Sequence, residues 1–285
     1  MEKAAGAQIE PAYGTAAREF PEDRRPEREP NRGTAEGCDM AGIMQAAEEG
    51  THEGAQTKSG VIASIIVPAY NEEEGLQITL DKIYKAVDGV CEVLVVDDGS
   101  DDATSKVASR FPCKVLKHAK NLGKGAALKT GIRHASGKYL IFIDADDTYP
   151  PEAIPLMYEA LESCDVVYAS RTGGRDNIPR LNRLGGLIFQ GLLRHLYGFK
   201  ASDYSTGLYG IRKHHLEQME ISSSGFSVEP EIAIKASRMK LRMRDIPIRY
   251  GSRVGQAKLH WLDAGFGHLK TILSLVLWRP SDTRP

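Results

Sequence analysis

Residues 139–152 read YLIFIDADDTYPPE, an apolar run that ends in Asp144, Asp146 and Asp147. Carboxylates one residue apart at the end of a strand can converge on a hard divalent cation where the backbone turns. Mg²⁺ and Mn²⁺ accept one or two such carboxylates and complete their shell with water or phosphate oxygens. A metal held by Asp144 and Asp146 would neutralise a diphosphate. The competing reading has Asp144 to Asp147 cap a following helix, which Pro151 and Glu152 suit as a first turn. An isolated Asp-x-Asp leaves both readings open.

Other polar residues gather after similar apolar runs. IIVPAYNEEEGL ends on Pro68, Tyr70, Asn71 and Glu72, where a ring can stack on a base and a carboxylate can reach a ribose or base edge. VLVVDDGSDDAT places Asp97 and Asp98 to accept hydrogen bonds from a nucleoside. Asn71 and Ser100 carry side chains that cap helices and are expected to do so. Asp97 suits a turn as well as a ligand. KNLGKGAALKTG lacks the GxxxxGK[ST] pattern of a phosphate loop, but a tight turn there could bring Lys124 to a diphosphate.

Such residues need a frame to bring them together. From Val61 onward, continuous apolar segments (VIASIIVPAY, CEVLVVDD, CKVLKH, KYLIFIDAD, DVVYAS) alternate with amphipathic ones. In the first helix Leu76, Leu80, Ile83 and Val87 share a face. This alternation predicts parallel strands covered by helices on both faces. Ligands of such sheets bind beyond the carboxyl ends of the strands, where the acidic clusters and Arg171 collect. Further along, a long helix is expected over 178–199, strands at STGLYGIRK and LRMRDIPIRY, a helix at VEPEIAIKASRM, and an apolar helix at 264–278.

Taken in order, VPAYNEEEGL, VVDDGSDDAT, NLGKGAALKTGI, DADDTYPPE, ASDYSTGLYGIRK and RVGQAKL resemble family 2 glycosyltransferases of the GT-A fold. The resemblance is strongest to the dolichyl-phosphate mannose synthase and polyprenyl-phosphate glycosyltransferase branch, over residues 61–275. It implies an α/β, Rossmann-like, mixed and mainly parallel sheet with helices on both faces, plus C-terminal interfacial helices. It also implies that Pro68, Tyr70, Glu72, Val96 and Asp98 hold the nucleoside, and that Asp144, Ala145 and Asp146 bind ribose, Mg²⁺ or Mn²⁺, and diphosphate. Arg171, Arg253 and Lys258 resemble the family's cationic contacts to phosphates, with Asp144, Asp146, Arg253 and Lys258 as the catalytic set. Arg253 and Lys258 also suit a solvated basic loop, and Asp203 suits either sugar or acceptor orientation or a buried turn. Thr148 stands where many relatives have Gln, so a third protein ligand to the metal is not assured.

The implied reaction moves a hexose from a GDP- or UDP-linked nucleotide diphosphate sugar to a polyprenyl (dolichyl) phosphate, with inversion. A phosphate acceptor is already anionic at neutral pH and needs no dedicated general base. The alternatives are a soluble saccharide or protein acceptor, which would need such a base, and a non-catalytic nucleotide-sugar-binding protein.

Bulk properties fit this reading. The 285 residues are 41% apolar with a formal charge of -1, enough for a sizeable core. Residues 1–60 hold 7 Lys and Arg against 12 Asp and Glu, leaving 30 against 26 for the rest. The modestly basic body suits an anionic ligand or surface and falls short of what nucleic-acid binding demands. Residues 1–59, with PEDRRPEREPNRGTAEG at their most polar, are expected to be a disordered leader. The expected divisions are that leader, a catalytic domain over 60–260, and a C-terminal amphipathic helix and tail over 261–285. Cys38, Cys91, Cys113 and Cys164 lack metal or redox spacing and suit reduced, structural thiols.

No run reaches the roughly 18 to 20 apolar residues that span a bilayer, and no signal-peptide core is evident. Membrane contact is therefore expected at a surface, on the cytoplasmic face. It would run through the helices at 178–199 and 264–278 with Arg180, Arg183, Arg194, Lys270 and Arg279 near anionic head groups. The same helices could instead pack on the core, and a membrane-protein partner could supply the docking.

Overall fold

The computed structural model describes residues 60–87, 89–256 and 261–280. The expected leader, Cys38 and Lys258 lie outside the described residues. The first strand, β1 (Ala63–Ala69), runs into α1 (Glu73–Ala86), and the alternation repeats as β2 (Cys91–Asp97), α2 (Thr104–Ala108), β3 (Lys114–Lys117), α3 (Lys124–His134), β4 (Tyr139–Phe142), α4 (Ile154–Ala160) and β5 (Val166–Gly173). After α5 (Arg180–Tyr197) come β6 (Tyr209–Arg212), α6 (Lys213–Met219), α7 (Val228–Arg238), β7 (Met243–Arg249) and α8 (Trp261–Ser274).

The strands form one sheet in the order β3-β2-β1-β4-β6-β5-β7. Neighbours among β1 to β4 pair in parallel, as do β5 and β7. The exception is β6, antiparallel to both β4 and β5, so the sheet is mixed and mainly parallel. The chain leaves β5, passes through α5 and re-enters the sheet as β6 between β4 and β5.

Successive β1 residues point to opposite faces, which splits the core in two. Ile65 and Val67 pack with Leu76, Leu80 and Ile83 of α1 and Met157 of α4. Ile66 packs on the other side with Leu128 of α3, Leu193 of α5 and Ile232 of α7. Each such side chain removed from water contributes about 1.5–3 kcal/mol, and together they hold the strand ends in register. Cys91 and Cys113 are half-buried and Cys164 is buried.

The two helices considered for membrane contact leave much of their apolar surface open. In α5 only Leu193 and Tyr197 are buried, while Leu181, Leu184, Leu187, Ile188 and Leu196 are exposed. Helix α8 docks through Ile272 but exposes Phe266, Leu269 and Leu273, with Val276 and Leu277 exposed just beyond it. No helix among the described residues is long and apolar enough to cross a membrane.

Candidate active site

The loops that follow β1 and β2 are stitched together by side chain to backbone hydrogen bonds. The amide of Asn71 donates to Ser100 Oγ at 2.9 Å, and Asp101 N donates to Asn71 Oδ1 at 2.9 Å. Glu72 N donates to Thr104 Oγ1 at 2.9 Å. Asn71 and Ser100 were expected as helix caps, and the structure corrects this. Glu72 and Ala103 occupy the cap positions without a side-chain cap bond. Asn71, at φ 51°, spends its side chain on the neighbouring loop.

Pro68 stands opposite Val96 across the β1–β2 pair, with Tyr70 just beyond the strand. Asp97 is fully buried. Burial opposes its charge, but hydrogen bonds from Ser100, Ser105 and Lys117 outweigh that and hold its pKa below the ordinary value. Asp98 accepts from Leu122 N at 3.0 Å and Gly123 N at 2.7 Å, with His118 Nδ1 at 2.6 Å. Asp98 therefore closes the turn that opens α3 and sets where Lys124 starts.

Asp144 and Asp146 lie just past the end of β4, each against a cation. Lys124 Nζ is 2.6 Å from Asp144 Oδ1. Arg253 Nη1 is 2.5 Å from Asp146 Oδ2, and its Nη2 pairs with Glu72. Thr148 Oγ1 donates to Asp146 Oδ1 at 2.5 Å, so Thr148 orients Asp146. The loop carrying Arg253 is pinned by Gly251 N to Thr148 O at 2.7 Å and Val254 N to Asp146 O at 3.0 Å.

Close approach here depends on two glycines. A Cβ at Gly75 would lie 2.7 Å from Ala145 O, and one at Gly207 would lie 2.0 Å from Asp144 Oδ2.

Burial raises the Asp146 pKa above its ordinary value and the Asp144 charge adds to the rise, against the pull of Thr148 and Arg253. Two carboxylates in that relation are what a divalent cation relieves. No group of three His, Cys, Asp or Glu able to hold a metal occurs among the described residues. Two carboxylates of this kind fit the hard-oxygen preference of Mg²⁺ or Mn²⁺, which would draw its other oxygens from a ligand or water.

Arg171 and Asp203, expected at phosphates and at sugar or acceptor, form a pair with each other. Arg171 Nε is 2.6 Å and Nη2 2.8 Å from the Asp203 carboxylate, and Nη2 also donates to Ser205 at 2.7 Å. The guanidinium lies over the Tyr250 ring, 5.4 Å from its centroid, and Tyr250 meets Tyr149 edge-on. Tyr149 accepts the Gly207 amide at 2.7 Å, which ties this cluster to Asp144.

Glu229 escaped the reading of the sequence. It begins α7, is buried, and its Oε1 lies 2.6 Å from Lys124 Nζ. Burial disfavours the Lys124 charge, but Asp144 and Glu229 more than compensate and raise its pKa well above the ordinary value. A signal existed in Glu-Pro-Glu heading an otherwise apolar helical segment, since acidic groups buried there require partners.

A mainly parallel sheet with acids and cations alternating beyond the carboxyl ends of its strands sits where ligands of α/β folds bind. Residues 64–219 match the model of glycosyl transferase family 2, and the chain belongs to that family, with an α/β fold of the GT-A type.

Among its relatives, a dolichol-phosphate mannosyltransferase of Pyrococcus furiosus is 33% identical over 75% of this chain and 64% of its own length. This chain therefore spans just under two thirds of that relative. A dolichyl-phosphate hexose transferase of Haloferax volcanii is 31% identical over 75% of this chain and 93% of its own. Among solved structures, a Mycobacterium tuberculosis glucosyl-3-phosphoglycerate synthase with Mn²⁺, UDP-glucose and phosphoglyceric acid shares the fold. Its TM-score is 0.62 at 24% identity, over 79% of this chain and 82% of that one. Mannosyl-3-phosphoglycerate synthase from Rubrobacter xylanophilus does so with TM-score 0.62 at 20% identity, over 75% and 74%.

Proposed function

We propose that the chain transfers a hexose from a UDP- or GDP-linked sugar to a phosphate-bearing acceptor, with polyprenyl phosphate as that acceptor. The observation that carries the reading is the alternation Glu72, Arg253, Asp146, then Asp144, Lys124, Glu229, joined by contacts of 2.6 Å or less at the carboxyl end of the sheet. Tyr70, Glu72, Pro68 and Val96 border the place for a nucleoside, with Asp98 behind them. Asp144 and Asp146 would hold Mg²⁺ or Mn²⁺, ions that the phosphoglycerate synthase complexes contain, and the ion would supply charge neutralisation of the diphosphate leaving group. Lys124 and Arg253 bring positive charge to where negative charge develops, and in this reading Lys258 adds to it. An acceptor phosphate oxygen attacks the anomeric carbon in line, so the configuration inverts. The catalytic unit in this reading is residues 60–260, lying against the cytoplasmic face of a membrane.

Polyprenyl phosphate is favoured by the names of the relatives at 31–33% identity. It is favoured also by the exposed apolar rows of α5 and α8, with Arg180, Arg183, Arg194 and Lys270 on the same helices. The second reading is a soluble acceptor, and the phosphoglyceric acid complexes favour it: the same fold there works on a soluble phosphate-bearing molecule. Labelled nucleotide sugars incubated with Mn²⁺ or Mg²⁺ and either dolichyl phosphate or phosphoglyceric acid separate the two. Label in the organic phase supports the lipid acceptor, label in the aqueous product the soluble one, and label in neither removes both.

A further inference from the structure

Glu229 lies outside every motif that carries the family resemblance, yet it shares one ammonium with Asp144. Lys124 Nζ is 2.6 Å from Glu229 Oε1 and 2.6 Å from Asp144 Oδ1. The two anions differ in setting. The Glu229 side chain is 8% exposed, on a helix buried along most of its length, whereas the Asp144 side chain is 28% exposed.

The same helix also fixes the backbone from which Lys124 departs. Glu231 accepts from Ser222 N at 2.9 Å and Ser223 N at 2.8 Å and pairs with Lys235 at 2.6 Å. That segment in turn meets the start of α3, where Ala126 N donates to Ser224 O at 2.9 Å. One helix therefore holds both ends of the lysine, its backbone through the 222–224 segment and its ammonium through Glu229.

A divalent cation drawn to Asp144 would take one of the two anions that Lys124 holds. We propose that Glu229 is a positioning residue: it keeps the Lys124 ammonium in place when Asp144 turns to the cation, so that the freed hydrogen-bonding capacity meets the donor diphosphate. The inference rests on the nucleotide-sugar reading above. Lysine is long and rotatable, and a free ammonium would spread over many rotamers. A buried carboxylate at its tip restricts it to the one position that serves the phosphates.

The test is a double-mutant cycle on the full chain, with UDP and GDP affinities measured by calorimetry in the presence of Mn²⁺. Glu229→Gln keeps size and polarity and removes the charge; Lys124→Met keeps length and removes the ammonium. Loss of a charge-assisted hydrogen bond predicts about a tenfold drop in nucleoside diphosphate affinity for Glu229→Gln. Because Glu229 acts through Lys124, the double variant should bind no worse than Lys124→Met alone. Losses that multiply in the double variant, or a Glu229→Gln affinity within twofold of wild type, would overturn the role. Should Glu229→Gln fail to fold, Glu229→Asp carries the same cycle, since it keeps the charge but shortens the arm. A wild-type chain that binds neither diphosphate sinks the donor reading itself and this role with it, an outcome distinct from binding without coupling.

Discussion

Asp144 and Asp146 sit one residue apart and are each tied by one cation to one glutamate, but the two ties are built from different material. Asp146 is buried, and its partner Arg253 comes from the loop after β7 with its side chain 31% exposed. Asp144 is the more open carboxylate, and its partner Lys124 comes from a helix with its side chain 14% exposed. A buried acid thus meets a loop cation, and an open acid meets a helix cation. Cations that share their anions with an incoming metal must give way somewhere. A loop held by the backbone hydrogen bonds of Tyr250, Gly251 and Val254 should yield more cheaply than a helix packed into the core, so Arg253 is expected to move and Lys124 to stay.

The largest expected effect removes the metal carboxylate itself. Asp146→Asn should lower transfer by roughly 10³-fold or more, with circular dichroism and melting temperature kept, because the amide oxygen still accepts from Thr148. Turnover near the wild-type level would end the metal assignment. Arg253→Ala comes next, with transfer down about 10²-fold but Mn²⁺ alone bound more tightly, since Asp146 no longer shares its charge with a guanidinium. Weaker Mn²⁺ binding in this variant would show that the loop cation does not compete, and the contrast between the two ties would vanish.

The glycines beneath each tie sharpen the same contrast. An alanine at Gly75 meets backbone on the Asp146 side, at 2.7 Å from Ala145 O and 2.9 Å from Asp146 Cα. An alanine at Gly207 meets the tip of the Asp144 side chain and, at 2.8 Å, the edge of the Tyr149 ring. Backbone cannot step aside as a side chain can, so Gly75→Ala should cost about 1–3 kcal/mol of stability and Gly207→Ala less. Gly207→Ala should instead weaken Mn²⁺ binding by displacing a ligand oxygen. Thermal melts that rank the two variants the other way would contradict this division.

Two residues along α7 from Glu229, Glu231 serves the scaffold. Burial works against its charge, but hydrogen bonds from Lys235, Ser222 and Ser223 prevail and lower its pKa from 4.5 to about 2. A depressed folded-state pKa contributes stability that is present above the unfolded value and lost as pH falls through the folded one. Glu231→Gln leaves the Lys235 charge, 3% exposed, with the Met219 and Glu220 carbonyls but no countercharge, and should cost about 3 kcal/mol at pH 7. Denaturant titrations should show that difference shrinking between pH 4.5 and about 2. A cost independent of pH across that window would assign the loss to packing alone.

How far these ties were legible in the sequence depends on where the chain brings each member from. Asp144, Asp146 and Glu72 follow apolar strands, and Arg253 sits in a stretch that resembles a family motif, so strand ends and order sufficed to bring these to attention. Glu229 lies in a helix whose first turn meets Lys124 only in the folded chain, and no local period encodes that. The pairing of Arg171 with Asp203 was hidden for the same reason, since β5 and the loop before β6 become neighbours only through the antiparallel insertion. Asn71 and Ser100 have the composition of caps, but a positive φ at Asn71 and the adjacent β2 loop offered stronger partners than the helix ends did.

The smallest stability effect is expected on the open face of α5, a helix that divides into a buried and an open side. Leu193 is fully buried, while Leu187 and Ile188 are 58% and 56% exposed. Leu193→Ala should cost about 2–5 kcal/mol, from lost burial and the cavity left behind. Leu187→Ser and Ile188→Ser remove apolar surface that is already in contact with water, so each should stay within about 0.5 kcal/mol of wild type. What they should change is partitioning onto anionic vesicles, where each buried methylene contributes about 0.8 kcal/mol. If the serine variants instead melt as early as Leu193→Ala, that face of α5 is covered in solution, and the lipid-acceptor reading loses its structural support while the donor site keeps its own.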